Sequence, residues 1–218
     1  MALIFPSLIS SDLLNLERTI KTLDPYCAGY HIDIMDNHFV PNLTWGAQFA
    51  NAIAHSTNKK IWVHLMVENP VSIIDRLQLR TGDIVSIHIE TKKEIDRSIK
   101  KIREKKLIAS VAVSPKTDVS ECFEFASRQH VEHFLIMSVE PGFSGQQFLA
   151  SAIDKIKTLA EYRAKNNLNF TIGIDGGITS DTIVLLAQLG IDQFAIASGI
   201  FASPEPVEQL KKLNQLIA

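Results

Sequence analysis

The chain has 218 residues, 46% of them hydrophobic, and its 22 basic and 24 acidic side chains give a formal charge of −2. That composition supports a full apolar core, excludes a disordered chain, and shows no basic stripe that would suit nucleic acid. No apolar run approaches the ~20 residues that span a bilayer, and no basic region precedes the N-terminal apolar residues as in a signal peptide.

Short apolar runs alternate with amphipathic stretches from end to end. Strands are expected at 3–7, 30–34, 61–65, 84–89, 108–113, 134–137, 170–174 and 193–197, on the strength of apolar runs and period-two alternation. Helices are expected at 13–23, 71–79, 94–104, 119–126, 151–164, 182–189 and 207–217. Cap or first-turn residues mark four starts: Ser11-Asp12, Asn69-Pro70, Asp118 and Ser180-Asp181. Eight β runs, each followed by a helical one, read as an α/β fold, a single (β/α)8 TIM barrel filling residues 1–218. The chain is a little shorter than the ~250 residues typical of that fold, which implies few insertions. A doubly wound open sheet is the alternative, but the first βα turn lacks Gly-x-Gly-x-x-Gly and no composition break marks a second domain. The two cysteines, Cys27 and Cys122, have no metal or redox spacing. They read as buried thiols of a reducing, cytoplasmic environment.

The second strand carries the first chemical signal. Tyr30, Ile32 and Ile34 alternate with His31, Asp33 and Met35, so an imidazole and a carboxylate point the same way, two residues apart. Burying that pair without partners would cost several kcal/mol at least, by order of magnitude. In a barrel, residues at the carboxyl ends of the strands open on one face. Those ends carry Ser7, His31 and Asp33, His64, His88, Met137-Ser138, Asp175-Gly176-Gly177 and Ser198-Gly199. Two histidines and two aspartates from three strands, His31, Asp33, His64 and Asp175, suffice to hold a divalent metal.

Each residue also has an ordinary reading. A lone strand histidine is more often a hydrogen-bonded core residue, and Asp175 before two glycines can simply shape a turn. His88 has no second ligand on its own strand and reads as a structural group or a support behind the ligands. His38, His55, His130 and His133 lack comparable context. Met35, Met66 and Met137 suit core filler, or an apolar sulfur lid over a reacting carbon. Gly176-Gly177 and Ser198-Gly199 follow strands seven and eight, where barrels commonly bind phosphate. The stretch 140–147, with Gly142 and Gly145 as hinges and the Gln146 amide, suits a loop that closes over a ligand, or an ordinary long turn.

These residues stand in motifs that resemble the ribulose-phosphate 3-epimerase family. They are Pro6-Ser-Leu-Ile-Ser-Ser-Asp12, His31-Ile-Asp-Ile-Met-Asp-Asn-His-Phe-Val-Pro-Asn42 and Val63-His-Leu-Met-Val-Glu-Asn-Pro70, followed by Met137-Ser-Val-Glu-Pro-Gly-Phe-Ser-Gly-Gln146, Ile174-Asp-Gly-Gly-Ile178 and Ala197-Ser-Gly-Ile-Phe201. The resemblance implies a metal, usually zinc, on His31, Asp33, His64 and Asp175, with Asp33 and Asp175 also the acid and base. A mixed His/Asp shell equally suits iron, manganese or cobalt. It implies that Ser7 contacts substrate, that the three methionines line the reacting carbon, and that Gly176, Gly177, Ser198 and Gly199 hold the phosphate. His64, Gly142, Gly145 and Gln146 complete the expected substrate contacts. The implied reaction interconverts D-ribulose 5-phosphate and D-xylulose 5-phosphate by inversion at C3 through an enediolate, in the pentose phosphate pathway, with a homo-oligomer as the assembly. Three rivals stand beside it: an epimerase of a six-carbon ketose phosphate, which would share nearly every motif, a metal-dependent hydrolase of the same barrel class using the His/Asp set, and a sugar-phosphate-binding protein without turnover. Departures from the family pattern are Asn37 for a frequent Gly, Ser144 for a common Gly, and Ala197 for the usual Gly before Ser198.

Overall fold

The computed structural model describes residues 2–128 and 130–218. Its strands are β1 (Leu3–Pro6), β2 (Gly29–Met35), β3 (Lys60–Met66), β4 (Ile84–His88), β5 (Ile108–Val113), β6 (His133–Met137), β7 (Thr171–Asp175) and β8 (Gln193–Ile196). All pair parallel, in the order β1-β8-β7-β6-β5-β4-β3-β2, and a parallel bridge between Ser7 and His31 joins the two ends. The TIM barrel expected from the alternation is the fold observed.

Around it lie α1 (Leu16–Leu23), α2 (Ala47–Ser56), α3 (Pro70–Ile74), α4 (Ile95–Glu104), α5 (Cys122–Ser127), α6 (Ser151–Lys165), α7 (Ile183–Gln188), α8 (Ser198–Phe201) and α9 (Pro206–Leu216). Three of the four start signals act as caps or turns. Asp12 accepts from Leu14 N–H, Asn69 from Ser72 N–H ahead of Pro70, and Asp118 from Ser120 N–H. The fourth does not cap: α7 begins after Thr182, whose hydroxyl accepts from Thr179 N–H instead. The helix expected at 71–79 stops at Ile74, because Asn51 on α2 bonds Arg76 C=O and Gln78 N–H and takes that backbone out of the helical ladder. α2 itself was not among the expected helices. It starts after Gly46 with no side-chain cap.

The strand pleat sorts the side chains into three apolar groups. Outward residues such as Tyr30, Ile32 and Ile34 of β2 and Val63 and Leu65 of β3 pack under the helices. On α4, Ile95, Ile99 and Ile102 supply the matching stripe. The buried Tyr30 hydroxyl is satisfied by donating to Asp24 at 2.7 Å. Inward residues Phe5, Trp62, Ile84 and Leu135 fill the lumen. There Trp62 Nε1–H donates to Ser86 Oγ (2.7 Å), Ser86 to Ser110 Oγ (2.7 Å), and Ser110 Oγ lies 2.7 Å from His133 Nδ1. Because an indole can only donate, Ser86 accepts from Trp62 and passes its own proton on to Ser110. Burial lowers the His133 pKa to about 3, with the His31 charge adding to the effect, so the ring stays neutral. Gly173 makes room for this layer, since a Cβ there would lie 2.6 Å from both His133 Nε2 and the Trp62 ring. The third group, Met35, Val40 and Met66, closes the mouth.

Candidate active site

The four expected metal ligands meet just above the lumen layer. β2 and β3 pair with Asp33 opposite His64, which brings His64 Nδ1 to 3.1 Å from Asp33 Oδ1. The same nitrogen lies 3.5 Å from Asp175 Oδ2 at the end of β7. His31 Nδ1 lies 3.5 Å from Asp33 Oδ2, and one donor atom from each of the four falls within 4.8 Å of the others. Metal bonds of 2.0–2.2 Å in a tetrahedron put neighbouring donors about 3.3–3.6 Å apart. Three of the observed separations lie close to that spacing and the whole set stays within 4.8 Å, so the donor set fits a small divalent cation.

Ser7 steadies the cluster at the β1–β2 seam. Its hydroxyl donates to Asp33 Oδ2 at 2.9 Å and lies 3.0 Å from His31 Nδ1. Burial alone would raise the Asp33 pKa, but the charge and hydrogen bond of His31, with the contact to His64, outweigh it. The carboxyl is held well below the usual carboxylate range. Burial would likewise lower His64, yet its contacts with Asp175 and Asp33 win and lift it to about 9. The cluster is therefore charged although almost wholly buried, and its members offset one another, while His31 Nε2 is left as a buried nitrogen with no hydrogen-bond partner among the described residues.

Behind His64 lies a second row. His64 Nε2 is 2.9 Å from His88 Nε2, and His88 Nδ1 is 3.0 Å from Glu90 Oε2. Glu90 Oε1 accepts from Ser114 N–H at 2.9 Å and from the Thr117 hydroxyl. His88 thus stands directly behind His64. Glu90 was not singled out from the sequence. The signal was present, because His88 and Glu90 stand two residues apart, as do His31 and Asp33.

In front of the ligands a cleft opens toward solvent, lined by Met35, Met66 and Met137 together with Ser7, Asp33 and Asp175. Gly142, Gly145 and Gln146 form one wall, and Gly176, Gly177, Ser198 and Gly199 another. His31 and His64 lie beneath, fully buried. The backbone at Gly177 has φ +63, and a Cβ there would lie 2.4 Å from Phe148 N, so glycine alone lets these two loops meet. Among the described residues the N–H groups of Gly176 and Gly177 bond no backbone acceptor. Asn37 takes φ 58 in the turn after β2, a left-handed residue that asparagine tolerates. Ala197 sits at φ −95, outside the region that demands glycine.

The 141–147 loop is drawn down over the cleft. Asn42 Nδ2 donates to Gly142 C=O at 2.7 Å, and Ser10 and Ser144 hydroxyls meet at 2.6 Å. Gln146 turns its amide back onto Glu140 and Phe143 carbonyls. The enclosed space is about 40 Å³, against roughly 300–1,000 Å³ for a usual ligand pocket.

Comparison with known proteins identifies this arrangement. The sequence pattern of the ribulose-phosphate 3 epimerase family matches residues 3–201. The chain belongs to that family. It is similar to ribulose-phosphate 3-epimerase of Aquifex aeolicus (strain VF5), 34% identical over 218 residues that cover 100% of this chain and 97% of that protein. It is also 34% identical to the cytoplasmic isoform of ribulose-phosphate 3-epimerase from Oryza sativa subsp. japonica, covering 99% of this chain and 94% of the relative. As a member of the epimerase family the protein is an isomerase, of the kind that racemises or epimerises carbohydrates. In fold it is similar to the solved 3-hexulose-6-phosphate synthase, with TM-score 0.71 at 13% identity over 99% of this chain and 100% of the other. Among the described residues no helix is long and apolar enough to cross a membrane.

Proposed function

We propose that this epimerase interconverts D-ribulose 5-phosphate and D-xylulose 5-phosphate by inverting C3 through an enediolate, with Asp33 and Asp175 as acid and base. Residues 1–218 act as one catalytic domain. His31, Asp33, His64 and Asp175 would hold a divalent ion, zinc first, with iron, manganese or cobalt suited to the same donors. Bound there, the ion supplies a Lewis acid for the negative charge that develops at the C2 and C3 oxygens.

The observation that carries the reading is the placement of the two carboxylates. Asp33 lies two residues before the end of β2 and Asp175 ends β7, with β1 and β8 between them in the barrel wall. Inversion requires one group to take the C3 proton from one face of the sugar and another to deliver a proton to the opposite face. Carboxylates on non-neighbouring strands approach a substrate in the cleft from two sides. Both also face His64 Nδ1, Asp33 Oδ1 at 3.1 Å and Asp175 Oδ2 at 3.5 Å. One enters ionised and the other protonated, and the roles exchange in the reverse direction. Ser7 holds Asp33 in place and contacts the substrate. Met35, Met66 and Met137 keep water from the reacting carbon. Gly176, Gly177, Ser198 and Gly199 take the phosphate, while Gly142, Gly145 and Gln146 close over it. The same reading makes the protein a cytoplasmic homo-oligomer whose small-molecule partner is the ketose phosphate. A six-carbon ketose phosphate is not favoured, because the curated relatives are named for the five-carbon substrate.

A coupled assay of zinc-loaded protein on D-ribulose 5-phosphate in heavy water tests this. D-Xylulose 5-phosphate carrying deuterium at C3 is the expected product. Release of inorganic phosphate, or binding with no turnover, would overturn it.

A further inference from the structure

His88 and Glu90 do not line the cleft, yet both are locked in place behind His64. Glu90 is the anchor. Its Oε1 is occupied by two donors from the loop after β5, Ser114 N–H and the Thr117 hydroxyl, which leaves Oε2 facing His88 Nδ1 at 3.0 Å. An ionised carboxylate only accepts, so His88 Nδ1 must carry the proton. The Ser114 hydroxyl, 3.3 Å from the same nitrogen, provides a weaker second acceptor. A neutral His88 then has a bare Nε2. Only a donor can stand 2.9 Å from it, so His64 must carry its proton on Nε2. In neutral His64 the remaining nitrogen, Nδ1, is bare, and it is aimed at Asp33 Oδ1 and Asp175 Oδ2. Three acceptors converging on one point attract a cation. The ring of Phe39, 4.7 Å from His88, covers the second imidazole.

We propose that Glu90, acting through His88, is a positioning residue for the metal: the Glu90–His88–His64 chain fixes the tautomer that presents His64 Nδ1 as an electron-pair donor. The inference rests on the metal reading above and deepens it. It names the residues that set metal affinity from outside the ligand set, as partners behind ligating histidines commonly do.

Glu90→Gln tests it with little change of shape. Ser114 N–H and Thr117 still require an acceptor, so the new amide keeps its oxygen toward them and turns its NH2 to His88 Nδ1. That nitrogen must then accept, His88 moves its proton to Nε2, and two N–H groups face each other across the 2.9 Å contact with His64. Zinc affinity, measured by competition against a chelator at one pH, is expected to fall about 10–100-fold. Asp118→Ala is the control, since it removes the cap on Ser120 N–H in the same loop but keeps both donors to Glu90 Oε1, and its zinc affinity should match the unaltered protein. Imidazole 15N spectra supply a readout that loop damage alone would not move. His88 should be the Nδ1–H tautomer in zinc-loaded protein and the Nε2–H tautomer in Glu90→Gln. Equal zinc affinity in Glu90→Gln, an equal loss in Asp118→Ala, or a His88 proton on Nε2 in the unaltered protein would each overturn the chain while leaving the metal site standing. Failure of the unaltered protein to bind zinc at all would overturn both.

Discussion

The charge state of His64 makes a quantitative prediction about metal binding. In metal-free protein the carboxylates of Asp175 and Asp33 overcome burial and hold the imidazolium up to about pH 9. A metal can use Nδ1 only when that proton leaves. At pH 7, about two units below, roughly one molecule in a hundred has the nitrogen bare, so apparent zinc affinity should be about 100-fold below its plateau. It should climb about tenfold per pH unit and level off above pH 9. Asp33 contributes no slope in this window because its pKa is depressed well below it. The stability of metal-free protein should run the other way. A raised histidine pKa contributes stability that is full below the unfolded value near 6.5 and is lost as pH rises through about 9. A shift of this size corresponds to about 3 kcal/mol by order of magnitude. Zinc competition against a chelator from pH 6.5 to 9.5, corrected for chelator protonation, measures the first slope. Urea unfolding of chelated protein measures the second. Zinc affinity that stays flat between pH 7 and pH 9 would refute the reasoning, since it would mean that no proton is displaced from the site.

Asp33→Asn and Asp175→Asn should each lower kcat at least 10²–10⁴-fold, and metal content measured beside the rate separates lost metal from lost proton transfer. Unimpaired epimerisation by either zinc-loaded variant would place the acid and base elsewhere. Gly177→Ala should destabilise the protein by about 1–2 kcal/mol from the left-handed backbone alone, and raise KM further as the Cβ pushes against Phe148 N; thermal unfolding and steady-state kinetics check both. Amide exchange across residues 141–147 should slow on adding D-xylulose 5-phosphate, because the loop has to open before a ketose phosphate can enter a space of about 40 Å³. Exchange unchanged at saturating ligand would count against a moving lid.

Most of the barrel can be read from the chain because the lumen and the helix layer impose opposite polarities on alternate residues. β2 is the clearest case: its outward Tyr30, Ile32 and Ile34 and its inward His31, Asp33 and Met35 write the pleat directly into the sequence. α2 was harder because Ala47, Ala50 and Ala54 bury little apolar area and Gly46 offers no cap. The early stop of α3 depends on Asn51, more than twenty residues away, and no local pattern holds that information. The cluster of His31, Asp33, His64 and Asp175 was legible because each stands in or directly after an expected apolar strand, where an ionisable side chain is conspicuous. Glu90 was hidden for a different reason. Its role exists only through His88, and His88 reaches His64 only in the β3–β4 register that places Ser86 against His64. His133 was passed over because its partner Ser110, and Ser86 beyond it, come from two other strands and look unremarkable in sequence.

The seam of the barrel sets an order of events during synthesis. β1 is zipped along its length to β8, from Leu3 against Gln193 to Pro6 against Ile196, whereas the bridge to β2 is the short one at Ser7 and His31. The first strand off the ribosome thus waits for the last. Until residues 193–196 emerge, β1 has no ladder to join, and Ser7 has no fixed place from which to hold Asp33. A nascent chain can form its local helices and the middle strands early, since those contacts are near in sequence. The catalytic pocket, by contrast, is a property of the finished chain, so a prematurely terminated copy should emerge without a high-affinity metal site rather than as a metal-charged fragment.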